Sequence, residues 1–298
     1  MNPLISCCII TYNHAPFIKQ AIESVLHQKH PYTFEIIIAD DCSTDGTSDM
    51  VRSYAQQYPA IIKAIIQPVN VGPAKNFMDL LVAASGKYIA YLEGDDYWND
   101  ELKLEKQTGF LENNPDYSIC FSNVLETFSE DLQDPRNHLH GGTGIKTTTA
   151  LNDLLYQNYI QTASVVFRNR LFRYFPHWYA GLMPGDWPLH ILNAQSGKIY
   201  YDNACMCVHR NYSNGVWSTQ NAIKRIKNTL HVCDVIGKEL NLASNKNLKA
   251  GRSKLLLASI KYLLKDHQYF AAVKNAMLAF YLCPQILFIV RKDNFQSL

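Results

Sequence analysis

Apolar residues fall in short continuous runs along the first 125 positions of the chain. "LISCCII" (Leu4–Ile10), interrupted by Ser6, the run inside "FEIIIADD" and "YIAYL" (Tyr88–Leu92) are such runs, and "IIKAIIQ" gives a further strand. Strands covered on both faces read this way. Between them the period changes. From Pro16 the apolar positions are Phe17, Ile18, Ala21, Ile22, Val25 and Leu26, a helical spacing. "STDGT" (Ser43–Thr47) reads as a turn and helix start, and Ser48–Gln57 and Phe77–Ala84 as further helices. Strand–helix alternation predicts an α/β fold, a mostly parallel sheet flanked by helices. After Trp98 the pattern loosens. It predicts a helix over Leu102–Asn113, strands over Tyr117–Asn123 and Ala163–Phe167, and a polar loop over Ser129–Thr149. Beyond Trp217, Lys-rich helical segments extend to Val290. The chain therefore divides near residues 217–220, into parts 1–218 and 219–298.

Open parallel sheets bind ligands outside the carboxyl ends of their strands. Thr11–Asn13, Asp40 with Asp41, Asn70–Lys75 and Glu93–Asp96 occupy four such ends. In the last, Glu93, Asp95 and Asp96 crowd together, which raises their pKa values unless a positive charge lies among them. Mg²⁺ and Mn²⁺ take carboxylate and phosphate oxygens. The cluster thus predicts a metal–diphosphate site; the plainer alternative is a solvated turn before a cap at Asp100. For Asp40 and Asp41 the alternatives are hydrogen bonding to a nucleobase edge, beside Thr11 and Asn13, or helix capping. Capping suits Asp45 and is not expected to account for Asp40 and Asp41.

The composition is that of a globular protein, 47% hydrophobic and 18% charged, with net charge +2. The charge is lopsided: from Asn221 to Leu298 there are 13 Lys and Arg against 4 Asp and Glu, which suggests two parts with different partners. Lys254, Lys261 and Lys265 share a helical face, as in a basic amphipathic helix on an anionic membrane surface or a helical cap with a solvated Lys face. The eight cysteines form no CxxC pair and suit reduced thiols in a cytosolic protein. The short run at Leu4–Ile10 has no Lys or Arg before it, so no secretory signal is expected. Asn275–Val290 falls short of the ~20 apolar residues of a membrane span.

Taken together, "CCIITYNHAPFIKQAIESVLHQ", "EIIIADDCSTDGT", "NVGPAKNF", "GKYIAYLEGDDYW" and "GDW" resemble the family-2 glycosyltransferases of GT-A fold in bacterial polysaccharide assembly. The likeness is ordered and normally spaced over roughly residues 4–125, and looser to Ser218. It implies a GT-A nucleotide-sugar-binding catalytic domain over 1–218, followed by a basic, mainly helical region. It also implies a nucleotide-sugar donor, commonly UDP-linked, Mn²⁺ or Mg²⁺, and inverting transfer to a hydroxyl of a saccharide or lipid-linked glycan. No nucleic acid is expected as a partner. The reduced thiols and the basic C-terminal part suggest a cytoplasmic location, peripheral on the inner face of the cell membrane.

The resemblance also assigns residues. Thr11 and Asp41 match the positions that hold the nucleobase, with Tyr12 and Asn13 beside them and Lys75 near the nucleotide. Glu93-Gly94-Asp95 stands at the "DxD" position, with Glu93 toward the ribose or a metal-bound water. Asp95 is the expected direct metal ligand, with Asp96 beside it. Asp186 in "MPGDWPLH" matches the catalytic base, the group that takes the acceptor proton; the plain alternative is a helix N-cap. Trp98 and Trp187 are expected on the acceptor side, since an indole can stack on a sugar. Arg210 would steady phosphate charge. One departure stands out: where the family usually has His after Tyr-Arg-x, this chain has Tyr212, and a histidine, His209, three residues earlier. The polar stretch Ser129–Thr149 would act as a lid. Two rival functions remain: a non-catalytic nucleotide-binding subunit, and a sugar nucleotidyltransferase, which would carry a Gly-rich phosphate loop where this chain has "TYNH".

Overall fold

The computed structural model describes residues 3–140, 144–211 and 219–292. Alternation governs the first part: β1 (Ile5–Thr11), α1 (Ile18–Leu26), β2 (Phe34–Asp40), α2 (Thr47–Gln57), β3 (Ile62–Ile66), α3 (Pro73–Ala83) and β4 (Tyr88–Glu93). There follow β5 (Tyr97–Trp98), α4 (Lys103–Asn113), β6 (Tyr117–Thr127), β7 (His138–Leu139) and β8 (Thr148–Thr149). Next come α5 (Leu151–Tyr156), β9 (Val166–Arg168), α6 (Asp186–Ala194) and β10 (Lys198–Arg210). The last four elements are α7 (Ala222–Glu239), α8 (Lys246–Lys265), α9 (Tyr269–Leu282) and α10 (Ile286–Lys292).

Among the described residues ten strands form one sheet whose main order is β3-β2-β1-β4-β9-β6-β10-β5. Strands β1 to β4 pair in parallel. Residues of β1 and α1, among them Ile5, Cys7, Ile9, Ile18, Ile22 and Val25, share one buried core. Each such aliphatic contributes about 1.5–3 kcal/mol relative to exposure. Strand β9 is antiparallel to both β4 and β6, so the sheet is mixed. At three residues, β9 is a short return strand that needs no crossover helix.

Two differences from the sequence pattern matter for the site. Strand β10 has 13 residues and runs parallel to β6, yet no periodic signal announces it. Its register shifts between Asp202 and Cys205, and again before Cys207. Such bulges break the alternation that marks a strand. The polar stretch 129–149, expected as a free lid, contains β7 and β8, which pair with β6 and β10; Gly141–Thr143 lie outside the described residues.

By internal contacts the chain divides into two units. The first comprises Met1–Ala150, Tyr159–Ala180 and Leu192–Tyr212, and holds the sheet. The second comprises Leu151–Asn158, Gly181–Ile191 and Ser213–Leu298. Within the second, Asn245 caps α8 by accepting from Asn247 and Leu248 N–H groups and donates to Asn152 Oδ1 at 2.9 Å. Lys254, expected on a free basic face, donates to Gln157 Oε1 at 2.6 Å and lies over the Tyr156 ring. Lys261 and Lys265 are exposed. Among the described residues no helix is long and apolar enough to cross a membrane.

Candidate metal and nucleotide site

The carboxyl ends of β1, β2 and β4 and the end of β10 carry the chemistry. β4 ends at Glu93, and the turn holds Asp95 and Asp96 before β5. Its backbone is fixed at both sides: Gly94 N–H donates to Ile10 carbonyl at 2.8 Å and Asp96 N–H to Glu93 carbonyl at 3.0 Å. Glycine is required at 94. A Cβ there would lie 2.7 Å from Thr11 Oγ1 and 3.0 Å from His14 Nδ1. Both of those atoms are buried without a hydrogen-bond partner among the described residues, and such atoms are costly unless something fills the role.

Asp96 is buried. Its carboxylate accepts the Arg210 N–H at 2.9 Å and faces His209 Nδ1 at 3.0 Å. Desolvation would lower the His209 pKa, but Asp96, with Glu93 and Glu126, outweighs it and lifts the value to about 10. One ligand atom from each of Glu93, Asp96 and His209 lies within 4.8 Å of the others. Two carboxylates and an imidazole are a donor set that fits a divalent transition ion such as Mn²⁺. Asp95, the expected direct ligand, stands outside this group. Its carboxylate is 3.7 Å from His14 Nε2. Burial and the adjacent Asp96 raise its pKa, while His14 and His209 pull the other way.

The other assigned residues are placed as follows. Thr11 is buried at the end of β1; Tyr12 and Asn13 beside it are exposed. Asn13 has φ 54°, accepts the Thr44 N–H and donates its own to Ser43 Oγ, tying the β1 loop to the start of α2. Asp41 is buried, and its two oxygens accept the Val71 and Gly72 N–H groups at 2.7 and 2.9 Å. Asp40 accepts from Ser43 N–H and from the Ser43 and Ser48 hydroxyls. Neither caps a helix, since α2 starts after Gly46 and α3 after Gly72 without a side-chain cap; both carboxylates instead organise the loops that follow their strand. Lys75 pairs with Asp79 one turn along α3, at 2.6 Å. The Arg210 guanidinium donates to Asp95 carbonyl at 2.6 Å and to Gln20, and lies over the Phe17 and Tyr97 rings. It braces the acidic turn.

Both tryptophans correct the sequence reading. Trp98 is 4% exposed; its Nε1 donates to Ala163 carbonyl at 2.9 Å, and the buried Lys103 ammonium lies 4.5 Å from its ring centroid. Trp187 is 2% exposed and donates to Leu154 carbonyl. Neither offers a face to a sugar, because each is consumed by packing. Asp186 begins α6 and accepts from Asn158 Nδ2 at 2.7 Å. Burial raises its pKa against the Trp187 N–H and Asn158, which lower it.

Sequence reasoning missed a second cluster. Glu126 of β6 stands opposite His209 of β10; it bonds His140 Nδ1 at 2.6 Å and Gln161 Nε2 at 3.1 Å. The strand expected from sequence stops at Asn123, short of Glu126, whereas β6 extends to Thr127, and pairing with β10 sets Glu126 beside His209. Tyr212 and Trp217 lie outside the described residues.

A parallel α/β half-sheet with carboxylates and a histidine at its carboxyl edge is the GT-A architecture of a nucleotide-sugar glycosyltransferase. The chain belongs to glycosyl transferase family 2, whose sequence pattern matches residues 6–178. Curated relatives reach 36% identity over 208 residues, 70% of this chain, and the chain spans 59% of their length. A putative teichuronic acid biosynthesis glycosyltransferase of Bacillus subtilis is 40% identical over 110 residues, 37% of this chain and 42% of that protein. Among solved structures, S. aureus TarS 1–349 with UDP-GlcNAc aligns with TM-score 0.63 at 17% identity, over 92% of this chain and 81% of that one. The mannosyltransferase PcManGT of Pyrobaculum calidifontis, with GDP-Man and Mn²⁺, aligns with TM-score 0.56 at 16% identity, over 97% and 88%.

Proposed function

We propose that this glycosyltransferase transfers a sugar with inversion from a UDP-linked donor to a hydroxyl of a saccharide or lipid-linked glycan, in surface polysaccharide synthesis. The convergence of Glu93, Asp96 and His209 at the end of β4 carries the reading. The UDP-GlcNAc complex of TarS, the Mn²⁺ complex of PcManGT and the Bacillus subtilis relative support it. Glu93, Asp96 and His209 would hold the cation, which neutralises charge gathering on the leaving diphosphate. Asp95, whose carboxyl lies beside His14 and outside this group, is left to orient the donor. Thr11 is the base-recognition group, since its buried hydroxyl has no hydrogen-bond partner among the described residues. Asp41 acts with it by fixing the 70–72 loop, and Tyr12 and Asn13 line the same strand end.

The family resemblance assigns Asp186 the part of base. As the acceptor oxygen bonds to the anomeric carbon, its proton passes to the Asp186 carboxylate, and the bond from that carbon to the diphosphate oxygen breaks with its electron pair. A carboxyl with a raised pKa is the better proton acceptor. The acceptor would be met at the cytoplasmic, anionic face of a membrane, with the basic C-terminal region as the contact.

Calorimetric titration of UDP into the protein, with Mn²⁺ and then with EDTA, tests the reading in wild type and Asp96→Ala. Binding that needs both the metal and Asp96 supports it. UDP binding indifferent to EDTA and to Asp96 overturns the metal site. Failure of UDP, GDP, CDP and dTDP alike overturns the donor reading.

A further inference from the structure

Helix α9 has its side chains arranged the opposite way from an ordinary surface helix. The residues it turns toward the protein are small: Ala272 and Ala279 are buried, and Asn275 Nδ2 donates to Ser259 Oγ of α8 at 2.8 Å. The large ones face out. Phe270 is 86% exposed, Val273 59%, Met277 70% and Tyr281 83%. Their spacing of three, four and four places them on one stripe, and Leu287 and Phe288 of α10 are exposed as well. Single exposed apolar residues need no explanation, but a stripe of large ones marks a contact surface.

We propose that the outward face of α9, with the first turn of α10, lies in the headgroup layer of an anionic membrane. This deepens the membrane contact suggested above and moves it: the lysine-bearing helix α8 is largely enclosed, burying Leu248, Leu256 and Leu263, and α9 presents the apolar surface. Charge selects lipid as the occupant. Between residues 246 and 292 the sequence has nine Lys and Arg and one acid, Asp266. Exposed Lys274 flanks the stripe on α9, and exposed Lys261 and Lys265 sit at the end of α8 just before it. An apolar strip with a basic rim is what an interfacial helix needs. The exposed rings Tyr269, Phe270, Phe280 and Tyr281 suit the headgroup depth, where aromatic residues concentrate. A second copy of the chain would set one lysine rim against another. With 14 residues, α9 is about 21 Å long, so it lies flat in the interface.

The full chain is tested by flotation with vesicles of phosphatidylcholine alone and of phosphatidylcholine mixed with phosphatidylglycerol. Binding is expected to the anionic vesicles only, and to fade as salt rises. Phe270→Ser with Tyr281→Ser should weaken it roughly tenfold or more, and Lys261→Gln, Lys265→Gln and Lys274→Gln about fivefold each. Thermal unfolding and UDP titration on the same preparations show whether each variant is folded and keeps its donor site. Absence of binding to anionic vesicles at low salt, or binding unmoved by both sets of variants, overturns the proposal. So does concentration-dependent self-association that the Phe270/Tyr281 pair abolishes, which would make the face an interface between copies. Vesicle binding and UDP binding are read separately, so either proposal can fail without the other.

Discussion

His209 Nδ1 lies 3.0 Å from Asp96 Oδ2, although 113 residues separate them and nothing local relates the two. The pair favours the protonated imidazole, which adds positive charge to an acidic turn already braced by the Arg210 guanidinium. A metal held as proposed would compete with that proton, because ligating histidines are neutral.

Mn²⁺ affinity is therefore expected to rise steadily as pH increases from 6 toward 10, with proton release on binding. Calorimetry in buffers of different ionisation enthalpy measures the release. His209→Phe should lower affinity and abolish the proton release; Mn²⁺ binding with no proton exchange would show that His209 is not a ligand.

In the metal-free protein the same pair has the opposite pH dependence. The folded His209 pKa, about 10, lies above the ordinary value near 6.5. Its stabilisation is thus complete below about pH 6.5 and is lost as pH rises through 10. Denaturant midpoints of wild type and His209→Phe in EDTA should converge in alkali.

Gly94→Ala should destabilise the fold by about 1–3 kcal/mol, since its methyl would meet Thr11 and the β1 loop. It should also displace Thr11, so UDP affinity should fall in a variant that still unfolds cooperatively. Unchanged UDP affinity would separate Thr11 from the nucleotide.

Glu35 gives an acid-stability test remote from the site. Burial would raise its pKa, but Lys63, Ser6 and Ser85 together hold it at about 2. A depressed carboxylate stabilises above its unfolded pKa of about 4.3 and loses that contribution as pH falls through 2. Glu35→Gln should lower the melting temperature at pH 7, and the gap from wild type should close in acid.

Asp186→Asn should leave UDP binding intact and lower kcat by roughly 10²–10⁴-fold. In wild type the acid limb of the rate profile should lie above the ordinary aspartate range, because burial raises that pKa. Loss of UDP binding in the variant, or an unchanged rate, would remove Asp186 from the role of base. Trp98→Ala should instead cost about 3–5 kcal/mol of stability, as a core residue does and a sugar platform does not.

Strands β1, β2 and β4 were legible because burial on both faces demands nearly unbroken apolar runs, and the polar residues collect where those runs stop; β3, an edge strand interrupted by the exposed Lys63, was legible from its place in the alternation. Glu93, Asp95 and Asp96 stood out for the same reason. Beyond β4 legibility declined. Polar breaks and register shifts interrupt β10, and α9 conceals which of its apolar faces is inside.

The chain by itself determined the α/β alternation, the edge at which the chemistry gathers and the family to which it belongs. These follow from local periodicity and from motifs contiguous in sequence. Tertiary structure decided the rest. Pairing of β10 with β5 brings His209 to the acidic turn, and pairing with β6 sets Glu126 beside it; packing takes Trp98 and Trp187 into the core; hydrogen bonds from Asp40 and Asp41 organise the loops after β2. Those outcomes depend on which surfaces meet across long separations, and no window of sequence carries that information.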